Sequence, residues 1–170
     1  LGVCFGSVVT MNSPGSVTAG KNNWEATLWH EYCHVVTLTA TENKMPRWLS
    51  EGISVYEEIQ RNPLWGQSMT PSYRKMIIEE QALTPISEMS QAFFQAKSGQ
   101  HIMFAYYQSM LVVEFIVENY GMEALQGILG DLADGVLIND AIAAHTVSME
   151  ELEVAFLEGC LLYTSDAADD

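Results

Sequence analysis

His30-Glu31-Tyr32-Cys33-His34 gathers two imidazoles and a carboxylate inside a run whose pattern reads as a helix. With about 3.6 residues per turn, residues four apart share one helix face, separated by about 6 Å of rise. Two imidazoles so placed can share one tetrahedral cation, and Glu31 lies a quarter-turn aside, where a water on that cation would sit. Histidines as ligands with a glutamate as general base form a set for metal-assisted hydrolysis. The same residues also arise by chance, as a solvated helix face with two unrelated histidines. A third ligand decides between the two.

The next helical segment supplies a candidate. After a short polar turn, Thr41 to Lys44, comes Met45-Pro46-Arg47-Trp48-Leu49-Ser50-Glu51-Gly52-Ile53-Ser54-Val55-Tyr56. Pro46 suits the first turn of a helix, where its missing N–H costs nothing. Glu51 follows one turn later, among bulky apolar residues that would bury it against the first helix. A carboxylate is rarely buried without a partner, and a metal is the best partner in reach. Catalytic zinc takes three protein ligands and leaves one position open, and His, His and Glu is a standard set.

H-E-x-x-H followed by W-L-S-E-G, with sixteen residues between His34 and Glu51, resembles the gluzincin branch of zinc peptidases. More narrowly it is similar to the peptidase MA-like domains, and more distantly to aminopeptidases that carry W-L-N-E-G. The resemblance implies one Zn2+ held by His30, His34 and Glu51, with Glu31 as the base that activates water. It implies a peptide or protein substrate and a zincin-like fold. It continues more weakly through Phe104-Ala105-Tyr106-Tyr107-Gln108-Ser109 to Asn119-Tyr120-Gly121, and so covers most of the chain. Gly52 would let the second helix approach the first closely. Peptide hydrolysis creates an oxyanion, and a Tyr or His donor commonly shares its stabilisation. Tyr106, Tyr107 and His101 lie where the resemblance would place that donor, with Tyr106 the first choice. A tyrosine packed in a helical core with its hydroxyl at the rim is the plain alternative.

Thermolysin-like members carry an Asp four residues after the third ligand, where it orients a zinc-bound imidazole. Here that position is Val55. Ligand histidines normally donate their second N–H to something, so Ser54, Glu58, Glu25 or a backbone carbonyl must substitute. The amine-anchoring G-x-M-E-N-type segment of the aminopeptidases does not occur in the chain, which leaves endopeptidase and aminopeptidase both open.

The last eleven residues, 160–170, resemble the conceptual translation of transposase-adapter DNA, and the chain starts at Leu1 inside what reads as a strand. The expectation is therefore a native domain over 1–159, truncated at both ends, with a non-native tail from Cys160. Many MA-like domains are attached to helical repeats, so a repeat region beyond the C-terminus is a further expectation. The net charge of −15 becomes −12 without the three tail aspartates, and no Lys or Arg follows Lys97. Nucleic acid and anionic membranes need a basic footprint, which this balance argues against. The longest apolar stretch, Ile102 to Val117, contains Gln108 and Glu114 and is too short to span a bilayer. Cys4 and Cys33 have no framework spacing, and Cys33 reads as a small packing residue beside the ligand face.

Residues 1–12 read as one or two strands, ended by a turn at Asn12-Ser13-Pro14-Gly15. Val8 to Met11 is the candidate edge strand beside an extended substrate. Asn22 or Asn23 would cap the metal-motif helix. Thr70-Pro71 and Thr84-Pro85 each open a helix by the cap-then-proline rule. Ile102 to Tyr120 is a buried central helix that Gly121 ends. Asn139 begins a short helix, and Ser148 with Glu151 forms a capping box for the last, expected to run to about Gly159. His145 reads as a surface residue, and Met69, Met76, Met89, Met103 and Met110 as core packing. The architecture is α+β: a small N-terminal sheet, two antiparallel metal-binding helices, and a C-terminal helical subdomain closing the cleft. The function that follows is zinc-dependent peptide hydrolysis. Its rivals are a non-catalytic zincin-like scaffold or interaction domain of a larger helical-repeat protein, and a helical binding domain with an accidental motif. An intact Glu31 speaks against the scaffold, because holding a metal does not require the base.

Overall fold

The computed structural model describes residues 2–13, 15 and 23–166, with the backbone alone for 162–166. Strands β1 (Gly2–Phe5) and β2 (Val8–Met11) form an antiparallel hairpin in which Gly2 faces Met11 and Phe5 faces Val8. Alternation puts Val3, Phe5 and Val8 on the open face and turns Gly2, Cys4, Val9 and Met11 towards helix α1. Gly15 N–H bonds to Ser13 Oγ at 3.3 Å as expected of a turn, while Pro14 and Asn22 lie outside the described residues.

Helix α1 (Trp24–Ala40) carries the histidines and is capped by Asn23, whose Oδ1 accepts from the N–H groups of Glu25 and Ala26. It ends at Thr41, and Glu42 and Asn43 reverse the chain with φ of 51° and 60°. Helix α2 (Arg47–Arg61) starts one residue later than Pro46, which sits extended at the cap position. His30 meets Glu58 while His34 meets Ser50 and Ser54, so α1 and α2 run antiparallel.

The rest is helical: α3 (Pro71–Ile78), the one-turn α4 (Met89–Ala92), α5 (Gly99–Tyr120), α6 (Met122–Ala133), α7 (Ile138–His145) and α8 (Met149–Asp166). Thr70 caps α3 through Tyr73 N–H at 3.1 Å. Thr84-Pro85 does not open a long helix. The buried Gln108 side chain takes both the N–H and the carbonyl of Thr84, at 3.0 and 2.6 Å, and ties it to α5. Only a 3-10 turn at Ile86–Glu88 and α4 follow. A tertiary tie there overrides the local cap signal.

α2 is sandwiched between α1 and α5, and its residues Trp48 to Tyr56 are all buried. Gly52 serves this packing, but towards α5 rather than α1. A Cβ there would stand 2.5 Å from the Ser109 carbonyl oxygen. α5 contributes Phe104, Tyr107, Met110, Val112, Val113 and Ile116 to the core, and Gly121, with φ of 86°, turns the chain into α6. Met76, Met89 and Met110 are core, but Met103 is exposed at the cleft. His145 is no free surface residue: its Nε2 meets Asp131 Oδ2 at 3.0 Å and its ring packs on Gly127.

The capping box opens α8, with Glu151 N–H on Ser148 Oγ at 3.3 Å and Ser148 N–H on Glu151 Oε2 at 3.2 Å. The helix does not stop near Gly159 but continues through Asp166. Leu152, Phe156 and Cys160 form one buried stripe at helical spacing, and burial pushes the Cys160 thiol up to about 12. The packed surface thus reaches Cys160, the first residue of the segment expected to be a non-native tail. The sheet of two strands and the surrounding helices make an α+β, zincin-like fold. Among the described residues no helix is long and apolar enough to cross a membrane.

Candidate metal centre

α1 and α2 bring His30, His34 and Glu51 to one point. Nε2 of His30 lies 3.1 Å from Nε2 of His34, and each lies 3.2 Å from Oε2 of Glu51. A tetrahedral ion with bonds of about 2.0–2.2 Å has ligand-to-ligand edges of about 3.3–3.6 Å. The observed edges fall within a few tenths of an ångström of that range, so these three atoms would hold one such ion. His34 and Glu51 are each 9% exposed, which is the burial that calls for a counter-charge.

The second ring nitrogens are held as well. His30 Nδ1 lies 2.6 Å from Glu58 Oε1, and a carboxylate can only accept, so that nitrogen carries the proton and Nε2 is left to bind. His34 Nδ1 lies between Ser50 Oγ at 2.8 Å and Ser54 Oγ at 3.2 Å. Of the candidates to replace the missing Asp, Glu58 and Ser54 contact the imidazoles, and no such contact is made by Glu25 among the described residues. Ser50 was not foreseen, although Ser50, Ser54 and Glu58 recur every four residues on the α2 face that meets the histidines.

Electrostatics follow from this packing. Burial opposes a charge on His30, but its hydrogen bonds and attraction to Glu51 and Glu58 outweigh it and hold the imidazole up at about 9. Burial likewise opposes ionisation of Glu51, yet both histidines hold its carboxyl far below the usual carboxylate range. Glu31 moves the other way: burial raises it, against the pull of His30 and His34. Burial also raises the Cys33 thiol, to about 11, in keeping with a packing role.

Glu31 is 7% exposed and lines the same cleft as the triangle, a space of about 950 Å³. Gly2 packs directly on it, since a Cβ at that position would stand 2.6 Å from Glu31 Oε1. The strand residues lining the cleft are Gly2, Val3 and Cys4 of β1, so β1 and not Val8–Met11 borders the site. On the opposite side Tyr106 Oη donates to Glu51 Oε1 at 3.3 Å and accepts from Arg47 Nη2 at 3.2 Å. Tyr107 is buried and stacked on Tyr73, and His101 pairs with Ser98, so of the three candidate donors Tyr106 reaches the centre. The wall is completed by Leu64, Trp65, Gly66 and Gln67 after α2, where Gly66 N–H bonds to the second oxygen of Glu58 at 3.1 Å.

A half-buried histidine, a buried histidine and a buried carboxylate from adjacent antiparallel helices form a group that can hold a metal ion beside a second carboxylate. Comparison with curated proteins and with solved structures gives no match. Comparison with family models does: residues 2–157 match the Peptidase MA superfamily, and the chain belongs to that family.

Proposed function

We propose that this chain is a gluzincin-type zinc metallopeptidase domain that hydrolyses peptide bonds. The observation that carries the reading is the convergence of His30, His34 and Glu51 on edges of 3.1–3.2 Å, with Glu31 buried in the same cleft. When bound, Zn2+ supplies Lewis acidity, polarising a scissile carbonyl and lowering the pKa of water to about 7. The chain's residues do the rest. Glu58 and the serine pair fix both imidazoles with Nε2 inward. Glu31 accepts the proton of the attacking water and passes it to the leaving amine, a role favoured by a carboxyl raised by burial. Tyr106, held by Arg47 at the rim, turns its one O–H from Glu51 to the developing oxyanion. An extended substrate would lie alongside β1, whose Gly2, Val3 and Cys4 edge the cleft.

The experiment has two arms. Elemental analysis of purified protein should give one zinc per chain, with the equivalent lost in His34→Ala and Glu51→Ala. Glu31→Gln should keep zinc and fold while peptide turnover drops by about 10²-fold or more, because an amide cannot accept the proton. Unchanged stoichiometry in the ligand variants would remove the ligand assignment. Equal turnover in Glu31→Gln would place the base elsewhere.

A further inference from the structure

The proposed chemistry needs no cation from the protein, yet one stands beside the centre. Arg47 is the only Lys or Arg among the described residues lining the cleft, in a chain of net charge −15. Its guanidinium is doubly fixed, lying 4.5 Å over the Phe93 ring and donating through Nε to Glu51 Oε1 at 3.3 Å. Nη2 gives one more hydrogen bond, to Tyr106. A guanidinium has five N–H donors, so three remain, and the structure records no protein acceptor for them among the described residues. The side chain is 55% exposed, so those donors face an open space bordering the ligand carboxylate. α2 begins at this residue without a side-chain cap or an acid in its first turn, so its N-terminal dipole adds positive potential of the same sign.

We infer that Arg47 anchors a substrate carboxylate, and that the preferred peptides carry one on the residue next to the scissile bond. This rests on the metallopeptidase reading. The guanidinium is one hydrogen bond from the Glu51 carboxylate, and successive residues of a peptide are about 3.8 Å apart. A carbonyl presented to the centre therefore brings the neighbouring residue within reach of Arg47. The planar fork of unused N–H groups suits a carboxylate, which can accept two parallel hydrogen bonds. Phe93 and Glu51 hold the fork in place before substrate arrives, so little side-chain entropy is lost on binding. The carboxylate has two sources, the free C-terminus of a peptide or an Asp or Glu side chain. Both present the same oxygens.

The test uses the full chain loaded with zinc and a set of peptide hydroxamates of one sequence, which anchor on the metal without being cleaved. One ends in a free carboxylate, one in an amide, and one in an amide with aspartate replacing the terminal residue. Affinities are measured by calorimetry for the wild type, Arg47→Gln and Arg47→Lys, and the readout is the acid-to-amide ratio within each protein. A charge-assisted pair predicts a ratio of about 10- to 100-fold in the wild type. The ratio should collapse towards one in Arg47→Gln and be partly kept in Arg47→Lys. Tighter binding of the free acid assigns the C-terminus; tighter binding of the aspartyl amide assigns an acidic side chain. A wild-type ratio near one for both, or a ratio unchanged in Arg47→Gln, overturns the assignment while leaving the metal site standing. A preserved ratio without peptide turnover would remove the peptidase reading and keep the anion site. Absence of all hydroxamate binding overturns both.

Discussion

Glu58 Oε1 stands 2.6 Å from His30 Nδ1, and the other oxygen of the same carboxylate accepts the Gly66 N–H at 3.1 Å. One side chain thus orients a candidate ligand and ties down the loop that carries Leu64 and Trp65 at the cleft wall. Val55, where the thermolysin pattern has its Asp, is a buried core residue one turn earlier. Glu58 follows Glu51 by seven residues, so two helical turns return it to the same face.

Glu58→Gln should therefore weaken zinc binding by about 10- to 100-fold, the usual cost of losing an outer-shell carboxylate on a ligand histidine. Competition with a chromophoric chelator measures it. An unchanged affinity would mean that His30 keeps its orientation without Glu58.

Zinc uptake should release a proton near neutral pH. His30 is raised from 6.5 to about 9, so in chelator-treated protein it is charged at pH 7.5 and must lose that proton before Nε2 can bind an ion. Affinity should then rise between pH 6.5 and 9. The sign for stability is opposite: a raised imidazole contributes fully below pH 6.5, and the metal-free protein loses that contribution as pH climbs through about 9. Calorimetry of zinc binding in buffers of different ionisation enthalpy gives the proton count. A count of zero at pH 7.5 would contradict the paired His30.

Gly52→Ala should destabilise the protein although alanine is the better helix former. The new Cβ would meet the Ser109 carbonyl oxygen at 2.5 Å and carbon at 2.7 Å, and backbone atoms cannot turn aside. Overpacking of this kind costs about 1–3 kcal/mol, more than the roughly 1 kcal/mol that helix propensity returns. Thermal unfolding should show a Tm lowered by several degrees. A higher Tm would mean that α5 moves away at little cost.

Deletion of residues 160–170 should lower Tm by about 2–4 °C, the equivalent of about 1 kcal/mol for losing the buried Cys160 side chain. Cys160→Ala in the intact chain should reproduce most of that loss. A Tm unchanged by the deletion would restore Gly159 as the end of the packed domain.

The amino-acid order alone determined the two chemical motifs and the elements that carry them. His30 and His34 share a face because any helix places residues four apart together, and Asn23, Thr70, Ser148 and Gly121 act through neighbours within a few residues. Such relations are local, so they survive in one dimension. Glu51 was legible as a buried acid seeking a partner. Which faces meet was not. Gly52 opens onto α5 instead of α1, Thr84 is tied to Gln108 from 24 residues away, and β1 borders the cleft in place of β2. Tyr106 reaches Glu51 while its neighbour Tyr107 turns into the core, a choice made by the rotation of α5 against α2. Arg47, Ser50 and Gly2 acquire their places at the centre only when α1, α2, α5 and the hairpin close around it. Contacts between elements depend on helix rotation and packing distance, and a pattern along the chain constrains neither until side chains from both partners interlock.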